Sequence, residues 1–357
     1  MTLDVRATTL VLALRDPLRI ARSSHGAGRT STTVILEVES DAFPGLVGMG
    51  EGYPDRFYGE TPETVTSVLP VLVEAVGRPE ASAEWLEHAA GSMAAAIRWN
   101  GAAKCALDIA LHDLVGKALG VPVHRLLGLP AEIPPTDFTL GIDTAAIVAD
   151  RARRAAGFPA LKIKVGGPQD VATLEAVRAV YDGPLRVDAN TGWEPEAAVR
   201  LLPELERLGV ELVEQPFPAH RIDQLRWLQE RSRLPIIADE SAVTIEDLDG
   251  LRGAVAGVNV KLAKCGGVGP ARRMLARARE LGFRTFLGCM EETSIGIAAS
   301  AAVASLADWV DLDGNLLLAD DPWAGLDLDD ECRWTLTERP GLGLHRRLPE
   351  GAGVPVA

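Results

Sequence analysis

The sequence predicts an α/β protein: a (β/α)7β barrel, similar to a TIM barrel, with an α+β capping domain. Eight short β-rich runs alternate with helix-forming stretches from about residue 136 onward, and these runs are FTLGI, LKIKVG, LRVDAN, LVEQP, PIIAD, GVNVKLA, RTFLGC and WVDLDG. Strict alternation favours parallel strands because parallel pairing needs a crossover helix. Charged side chains end most of these runs about every 25 residues, as expected for a barrel with its chemistry at the carboxyl ends of the strands.

The regions on either side of the barrel have a different pattern. Three strand-like runs (VRATTLVLAL, STTVILEVES and GLVGMGEGYP) precede helical segments, and apolar residues from Leu107 to Ala118 predict an amphipathic helix that ends at Gly120. We therefore predict a capping domain over 1–125, a barrel over 126–320 and a Pro- and Gly-rich segment over 321–357 that returns to the capping domain. A doubly wound sheet is the alternative, but no GxGxxG motif follows the first strand.

Composition excludes several classes of protein. A formal net charge of −14 argues against a nucleic-acid partner, because binding to phosphates needs clustered Lys and Arg. The four cysteines have no CxxC spacing, so we expect neither disulfides nor a zinc site, and a reducing cytoplasm. The start of the chain does not have the pattern of a signal peptide. The apolar stretch over 295–307 is too short to span a bilayer and predicts a buried helix.

Three carboxylates follow apolar runs on successive predicted strands: Asp188 after LRV, Glu214 after ELV and Asp239 after PIIA. Converging at the mouth of a barrel, they would repel one another unless a cation lay between them. An all-oxygen set suits Mg²⁺ first and Mn²⁺ second. Any single acid in such a place is as well explained as a helix N-cap, but three at similar spacing favour a metal site.

Two lysines lie two residues apart in LKIKVG, so Lys162 and Lys164 face the same side of a strand. Two ammonium groups so close destabilise each other's charge, and the inner one can be neutral near pH 7 and act as a base. Lys261, from the sixth strand, lies across the barrel from the second. We interpret its neighbour Lys264 as structural or solvated.

These groups together fit a 1,1-proton transfer. One lysine removes an α-proton, the metal stabilises the enediolate, and the other lysine returns a proton to the opposite face. A lysine that forms a Schiff base is the competing chemical role, but it leaves the three carboxylates without a task.

The chain resembles the enolase superfamily, and within it the muconate lactonizing enzyme subgroup. The resemblance lies in ALDIALHDLVGKALGVPVHRLLG, GFPALKIKVG, RVDANTGW, ELVEQP, ADES, NVKLAKCGG and GCMEETSIGIAA. It implies a capping domain on a (β/α)7β barrel. The residue roles that it implies are Mg²⁺ ligands at Asp188, Glu214 and Asp239, acid/base lysines at Lys164 and Lys261, and Lys162 as the group that tunes Lys164.

Within the subgroup, VDLDGNLLLADDP resembles the DxD signature of dipeptide epimerases, which implies that Asp311 and Asp313 hold the α-ammonium of a dipeptide. Two carboxylates on one face form a good cation site. The activity implied is an isomerase that inverts the α-carbon of the C-terminal residue. Alternatives are an N-succinylamino acid racemase, an o-succinylbenzoate synthase or cycloisomerase, and a metal-dependent binding protein. The acid-sugar dehydratases are disfavoured because no His lies near GCMEET.

Substrate side chains should be recognised by two capping-domain loops, ARSSHGAGRT and EGYPDRFYGE, the second of which supplies Tyr53. L-Ala-D/L-Glu epimerases resemble this chain, but their Arg in the first loop would align with Ser23; Arg22 and Arg29 lie nearby. Acidic side chains at Asp55, Glu60 and Glu291 could instead favour a cationic substrate side chain.

Glu292 matches a position that is acidic across the subgroup, so the resemblance implies that it contributes to the site by orienting Lys261. For partners, we expect a small-molecule substrate, no nucleic acid, no membrane and a homo-oligomer.

Overall fold

The N-terminal part of the chain combines a three-stranded antiparallel sheet with a layer of helices. The computed structural model describes residues 3–22 and 28–347, and every structural statement below concerns those residues. The sheet has the order β1-β2-β3. The elements are β1 (Asp4–Ala13), β2 (Thr30–Glu39), β3 (Val47–Gly52), α1 (Pro62–Val76), α2 (Ala83–Ala96), α3 (Gly101–Leu119) and α4 (Val123–Leu126).

Eight parallel strands follow in sequential order, β4 to β11, with a crossover helix between each pair. A parallel bridge between Thr136 and Val310 joins the first strand to the last. The predicted (β/α)7β barrel with a separate capping domain is therefore confirmed. The strands are β4 (Phe138–Leu140), β5 (Leu161–Lys164), β6 (Leu185–Asp188), β7 (Val210–Glu214), β8 (Ile236–Ala238), β9 (Gly257–Lys261), β10 (Arg284–Gly288) and β11 (Trp309–Asp311).

The crossover helices cover the outside of the barrel, and two short helices follow β9 and β11. Apolar side chains of the strands, such as Ile163, Val187 and Val213, are fully buried beneath the helices. The helices are α5 (Ala145–Arg154), α6 (Asp170–Arg178), α7 (Pro195–Arg207), α8 (Ile222–Gln229), α9 (Leu248–Leu251), α10 (Leu262–Cys265), α11 (Val268–Glu280), α12 (Ser294–Ala301) and α13 (Gly314–Leu317).

The sequence predicts an amphipathic α3, but every residue from Ala102 to Gly116 except Lys104 is buried. It lies between the capping sheet and the barrel, so it has no solvent face. Glycines on β3 allow this: a Cβ on Gly48, Gly50 or Gly52 would come within 2.3 Å of a backbone carbonyl oxygen of α3. The backbone of β3 therefore packs directly against the backbone of α3, in place of the side-chain interface that the hydrophobic periodicity of α3 predicts.

The C-terminal segment connects the two domains. It contains the short strands β12 (Trp323–Ala324), β13 (Asp327–Leu328), β14 (Trp334–Thr335) and β15 (His345–Arg346). Leu342 N donates to Asp113 Oδ1 on α3 at 2.8 Å, and Trp334 Nε1 donates to the carbonyl oxygen of Leu312 at 2.8 Å. The boundaries predicted at 125 and 320 stay predictions.

Helix α12 is completely buried and covers the first part of the apolar stretch over 295–307, for which a buried helix is predicted, but it ends at Ala301. Among the described residues, no helix is both long and apolar enough to cross a membrane.

Candidate active site

A cleft of about 610 Å³ opens at the carboxyl ends of the barrel strands, beneath loops of the capping domain. Its volume is in the range of small-molecule sites, roughly 300–1,000 Å³. Because side chains alternate along a strand, Lys162 and Lys164 of β5 lie on the same face, and both line the cleft. Residues from both domains line the cleft, among them Arg22, Tyr53, Asp55, Phe57, Lys162, Lys164, Asp239, Lys261, Asp311 and Asp313.

The three predicted metal ligands converge. Carboxylate oxygens of Asp188, Glu214 and Asp239 all lie within 4.8 Å of one another, and the three residues are buried. Parallel pairing places Asp188 directly beside Glu214 in the register of β6 and β7. Strand order and register therefore bring together residues that are distant in the sequence.

The turns after these ligands have an unusual backbone. Asn190, Thr191 and Gln215 have φ values of 40°, 68° and 32°, a left-handed region that is costly for residues with a side chain. Hydrogen bonds offset the cost: Asn190 N donates to Asp188 Oδ1 at 2.9 Å, and Gln215 Oε1 accepts from Asp239 N at 2.8 Å. Two of the strained residues thus hold the ligand-bearing strand ends in place.

The two predicted acid/base lysines lie on opposite sides of the carboxylates. Lys164 is on β5 and Lys261 on β9, four strands apart in an eight-stranded barrel. Lys164 Nζ donates to Asp188 Oδ2 at 2.7 Å, and Lys261 Nζ donates to Asp239 Oδ2 at 2.9 Å. Both side chains line the cleft, and that of Lys164 is 10% exposed.

Lys162 lies deeper than Lys164. Its Nζ is 2.8 Å from Glu214 Oε2 and 2.8 Å from Asp311 Oδ2, and the side chain is 1% exposed. Burial opposes its charge, but the surrounding carboxylates, Asp311 most strongly, raise the pKa of Lys162 well above its ordinary value. The carboxylates around Lys162 thus favour its charged form, and the neutral state of one lysine of the pair near pH 7 stays a prediction.

Burial raises the pKa of each of the three carboxylates, and the nearby lysines lower it. Burial together with the charge of Asp188 raises the pKa of Glu214 to about 7. Burial also acts on Asp239, but Lys261 and Lys264 outweigh it and lower the pKa of Asp239 well below its ordinary value. The three carboxylates together are stabilised by positive charge, and the lysines bonded to them provide part of it.

The donor set fits a divalent cation. Glu214 Oε2 is buried and accepts no hydrogen bond of good geometry, although Lys162 Nζ is close to it. Carboxylate oxygens are the ligands that Mg²⁺ prefers, and the buried Glu214 Oε2 has no hydrogen bond that would compete with a metal ion. Asp188, Glu214 and Asp239 would therefore hold the ion.

Two acids, Asp311 at the end of β11 and Asp313 two residues later, form a pair on one side of the cleft. Asp311 Oδ1 accepts from Thr139 Oγ1 at 3.2 Å, in addition to the contact of Oδ2 with Lys162, and Asp313 Oδ2 accepts from Thr139 N at 2.6 Å. Among the described residues, Asp313 has no Lys or Arg within ion-pair distance. Burial and the charge of Asp311 raise the pKa of Asp313 to about 8.

The capping-domain residues divide into those that reach the cleft and those that do not. Arg22 lines it, but the guanidinium is already bonded to Glu240 Oε1 and lies 3.7 Å from Asp55 Oδ2. Arg22 would have to leave Glu240 to bind an acidic substrate side chain. Tyr53 lines the cleft with its hydroxyl bonded to Glu291, while Ser23 lies outside the described residues.

Glu292 is 1% exposed and is not among the residues that line the cleft. Its Oε2 accepts from Met290 N at 3.2 Å, whereas Lys261 is bonded to Asp239 instead. Burial and the charge of Glu51 raise the pKa of Glu292 to about 8. Its contribution to the site therefore stays a prediction.

Several residues that shape the site were missed or left open by the sequence. Asn259 Nδ2 donates to Glu214 Oε1 at 2.8 Å, and it lies two residues before Lys261, so strand parity could have placed it in the barrel. Lys264 is buried and donates to Asp239 Oδ1 at 2.5 Å, which makes it structural rather than solvated.

The contact that fixes the capping domain above the site was also missed. Glu51 on β3 accepts from Thr293 N at 2.9 Å and from Gly296 N at 2.9 Å, at the start of α12. No local sequence signal indicates this pairing, because its partners are on another domain.

The fold and the site together define a barrel enzyme of the kind that carries a carboxylate triad between two lysines. Two protein-family models match the chain. The family described as "Enolase C-terminal domain-like" matches residues 145–348, and the family described as "Mandelate racemase / muconate lactonizing enzyme, N-terminal domain" matches residues 3–128. The chain belongs to the mandelate racemase and muconate lactonizing enzyme family of the enolase superfamily.

Characterised relatives cover nearly the whole chain. It is similar to the L-Ala-D/L-Glu epimerase of Bacteroides thetaiotaomicron, with 39% identity over 94% of this chain and 86% of that protein. It is similar to the L-Lys-D/L-Arg epimerase of Methylococcus capsulatus, with 37% identity over 96% and 98%. Among solved structures, the dipeptide epimerase of Enterococcus faecalis in complex with Mg and L-Leu-L-Tyr has a TM-score of 0.87 and 32% identity, over 96% of this chain and 99% of that one.

Proposed function

We propose that the protein is a Mg²⁺-dependent dipeptide epimerase. It interconverts the configuration of the C-terminal residue at its α-carbon by a 1,1-proton transfer through an enediolate. The observation that carries the proposal is the placement of Lys164 and Lys261 halfway round the barrel from each other, each bonded to a different carboxylate of the triad. The names of the relatives support the same activity.

Opposed lysines explain why the reaction runs in both directions. A lysine on one face of the α-carbon removes the proton, and the lysine on the other face delivers one, so the configuration inverts. Mg²⁺, when held by the triad, supplies the positive charge that lowers the energy of the enediolate. Each lysine shares a hydrogen bond with a triad carboxylate, which fixes its Nζ at the edge of the cation site.

The acid pair at the end of β11 supports a substrate with a free amine. Asp313 is buried without a basic partner in the described part of the chain, so a cation that enters the cleft finds a carboxyl group to bind. An N-succinyl substrate would instead bring a further carboxylate toward Asp311 and Asp313, and like charges repel. The N-succinylamino acid racemase, the o-succinylbenzoate synthase and the cycloisomerase are therefore less well supported.

The test is a screen of dipeptide libraries in D₂O with the Mg²⁺-loaded protein. We expect deuterium at the α-carbon of the C-terminal residue, detected by mass spectrometry, together with a change of configuration. The double variant Lys164→Ala/Lys261→Ala, which lacks a base on either face, is the control for exchange that does not depend on the enzyme. Absence of exchange across the whole panel at saturating Mg²⁺ would exclude the proposal. The predictions of a cytoplasmic location, a homo-oligomer and Mn²⁺ as a second choice of ion stay predictions.

A further inference from the structure

A third acid lies beneath the predicted ammonium site that Asp311 and Asp313 form. Asp137 precedes β4, points into the barrel and is 1% exposed. Arg186 NH1 on β6 donates to Asp137 Oδ2 at 2.8 Å. The Asp137 carboxyl is in hydrogen-bonding contact with the carboxyl of Asp311. Asp137 is therefore one residue removed from the cleft, behind a group that lines it.

Two carboxylates share a hydrogen bond only when one of them carries a proton. Asp311 is well supplied with donors, because Lys162 bonds its Oδ2 and Thr139 bonds its Oδ1. In contrast, Asp137 Oδ1 is buried and accepts no hydrogen bond from the described residues. A buried carboxylate oxygen without a donor is costly, whereas a buried hydroxyl that donates is not. The proton thus belongs on Asp137.

The charges around Asp137 lead to the same assignment. Arg186 divides its single positive charge between Asp137 and Glu211, since its Nε donates to Glu211 Oε2 at 2.8 Å. Lys162 is the other nearby cation, and it is already in contact with Asp311. Three acids, Asp137, Asp311 and Glu211, thus share two cations, Arg186 and Lys162. A proton on one of the acids makes the numbers of negative and positive charges equal.

We propose that Asp137 is a protonated acid that donates its hydrogen to Asp311 and holds that carboxylate toward the cleft. Burial and the charge of Asp311 raise the pKa of Asp137 well above its ordinary value. Burial of Asp311 is outweighed by Lys162 and Asp137, which lower the pKa of Asp311. The pair then carries one negative charge in total. Asp137 is a positioning residue, and its link to ammonium binding rests on the proposed epimerase function.

Two substitutions separate a neutral donor from a negative charge. In Asp137→Asn the amide nitrogen donates to Asp311 and the amide oxygen accepts from Arg186, as a protonated acid would. Asp137→Ala removes both bonds. We expect KM for a free-amine dipeptide to stay near the wild-type value in the Asn variant and to rise about tenfold in the Ala variant, with kcat less affected. An equal rise in both variants would mean that a charge is required, and no rise in either would mean that Asp137 does not position Asp311; both results overturn the proposal.

A second measurement does not depend on turnover or on the Ala variant. Infrared spectra of the Mg²⁺-loaded wild type minus Asp137→Asn should contain the carbonyl stretch of a buried protonated carboxyl group. A difference spectrum with only carboxylate bands would overturn the assignment of the proton. If the protonated band is present but no dipeptide is turned over, the proposed function fails while the Asp137 assignment stands.

Discussion

Lys162 Nζ donates a hydrogen bond of 2.8 Å to Asp311 Oδ2, so one acid of the predicted ammonium site already holds a cation of the protein itself. Its neighbour Asp313 has no such partner among the described residues and takes only the backbone hydrogen of Thr139. The two acids are therefore unequal. Asp311 is fixed and ionised, and Asp313 is the carboxyl with capacity left for a substrate.

This inequality predicts the effect of removing Asp313. We expect Asp313→Asn to weaken binding of a free-amine dipeptide about tenfold to a hundredfold, because a hydrogen bond to a charged group is lost. The N-acetylated dipeptide should bind the two proteins equally. Calorimetric titration measures both ligands, and Asp320→Asn, at an exposed acid nearby, is the matched control. Equal affinity of wild type and Asp313→Asn for the free amine would contradict the assignment.

The affinity for a free-amine dipeptide should depend on pH in a defined direction. The pKa of Asp313 is raised to about 8, so below that pH the group must lose a proton before it pairs with an ammonium. Affinity should therefore rise as pH increases toward 8. It should fall again above that, because an α-amino group loses its own proton with a pKa of about 7.7–8.0. Titrations from pH 6 to 9.5 check this, and Asp313→Asn should lack the rising limb.

The two lysines should be separable by isotope exchange. Removing a general acid or base costs about 10²–10⁴-fold in rate, so Lys164→Ala and Lys261→Ala should each abolish epimerisation. Each variant keeps the base on one face, and each should therefore still exchange the α-proton of one epimer only, with opposite preferences. Mass spectrometry of pure L,L and L,D dipeptides in D₂O distinguishes these half-reactions. Exchange of both epimers by one variant would contradict bases on opposite faces.

Mg²⁺ should stabilise the folded protein as well as activate it. The ion relieves the repulsion among Asp188, Glu214 and Asp239, and a ligand at 100 times its Kd adds about 2.7 kcal/mol to the free energy of unfolding. We expect chelation to lower Tm and to stop exchange, and addition of Mg²⁺ to reverse both. In Glu214→Gln, Mg²⁺ should no longer shift Tm, while the exposed substitution Glu230→Gln should leave the shift unchanged.

Arg22 and Glu240 should be coupled. Glu240 is 3% exposed, so Arg22→Met leaves a buried carboxylate uncompensated and should destabilise the protein by about 1–3 kcal/mol. Arg22→Met with Glu240→Gln should recover most of that loss, because no charge is then left unpaired. Urea unfolding of the four proteins of the cycle measures the coupling. Additive effects would show that the pair makes no interaction of consequence.

Much of the site could be predicted because barrel chemistry follows strand ends. Asp188, Glu214 and Asp239 are each the first acid after an apolar run, and parallel register brings such residues together without further information. The same logic placed Lys164 and Lys261 correctly at the ends of β5 and β9. Residues of the capping domain could not be predicted in this way. The positions of Arg22 and Glu51 depend on how one domain rests on another, and no periodicity encodes that contact.

The sequence by itself determined the barrel, the capping domain, the carboxylate triad and the two lysines that face it. The periodicity of hydrophobic residues and the alternation of side chains along a strand are local properties, so both can be recognised in the sequence itself. Only the tertiary structure decided the charges. The pKa of Lys162 is raised because three carboxylates surround it, and Asp137 joins the site because the chain before β4 meets β11 where the barrel closes. The pKa of each group depends on its burial and on the charges of residues that are distant in the sequence. Both are determined only when the chain has folded.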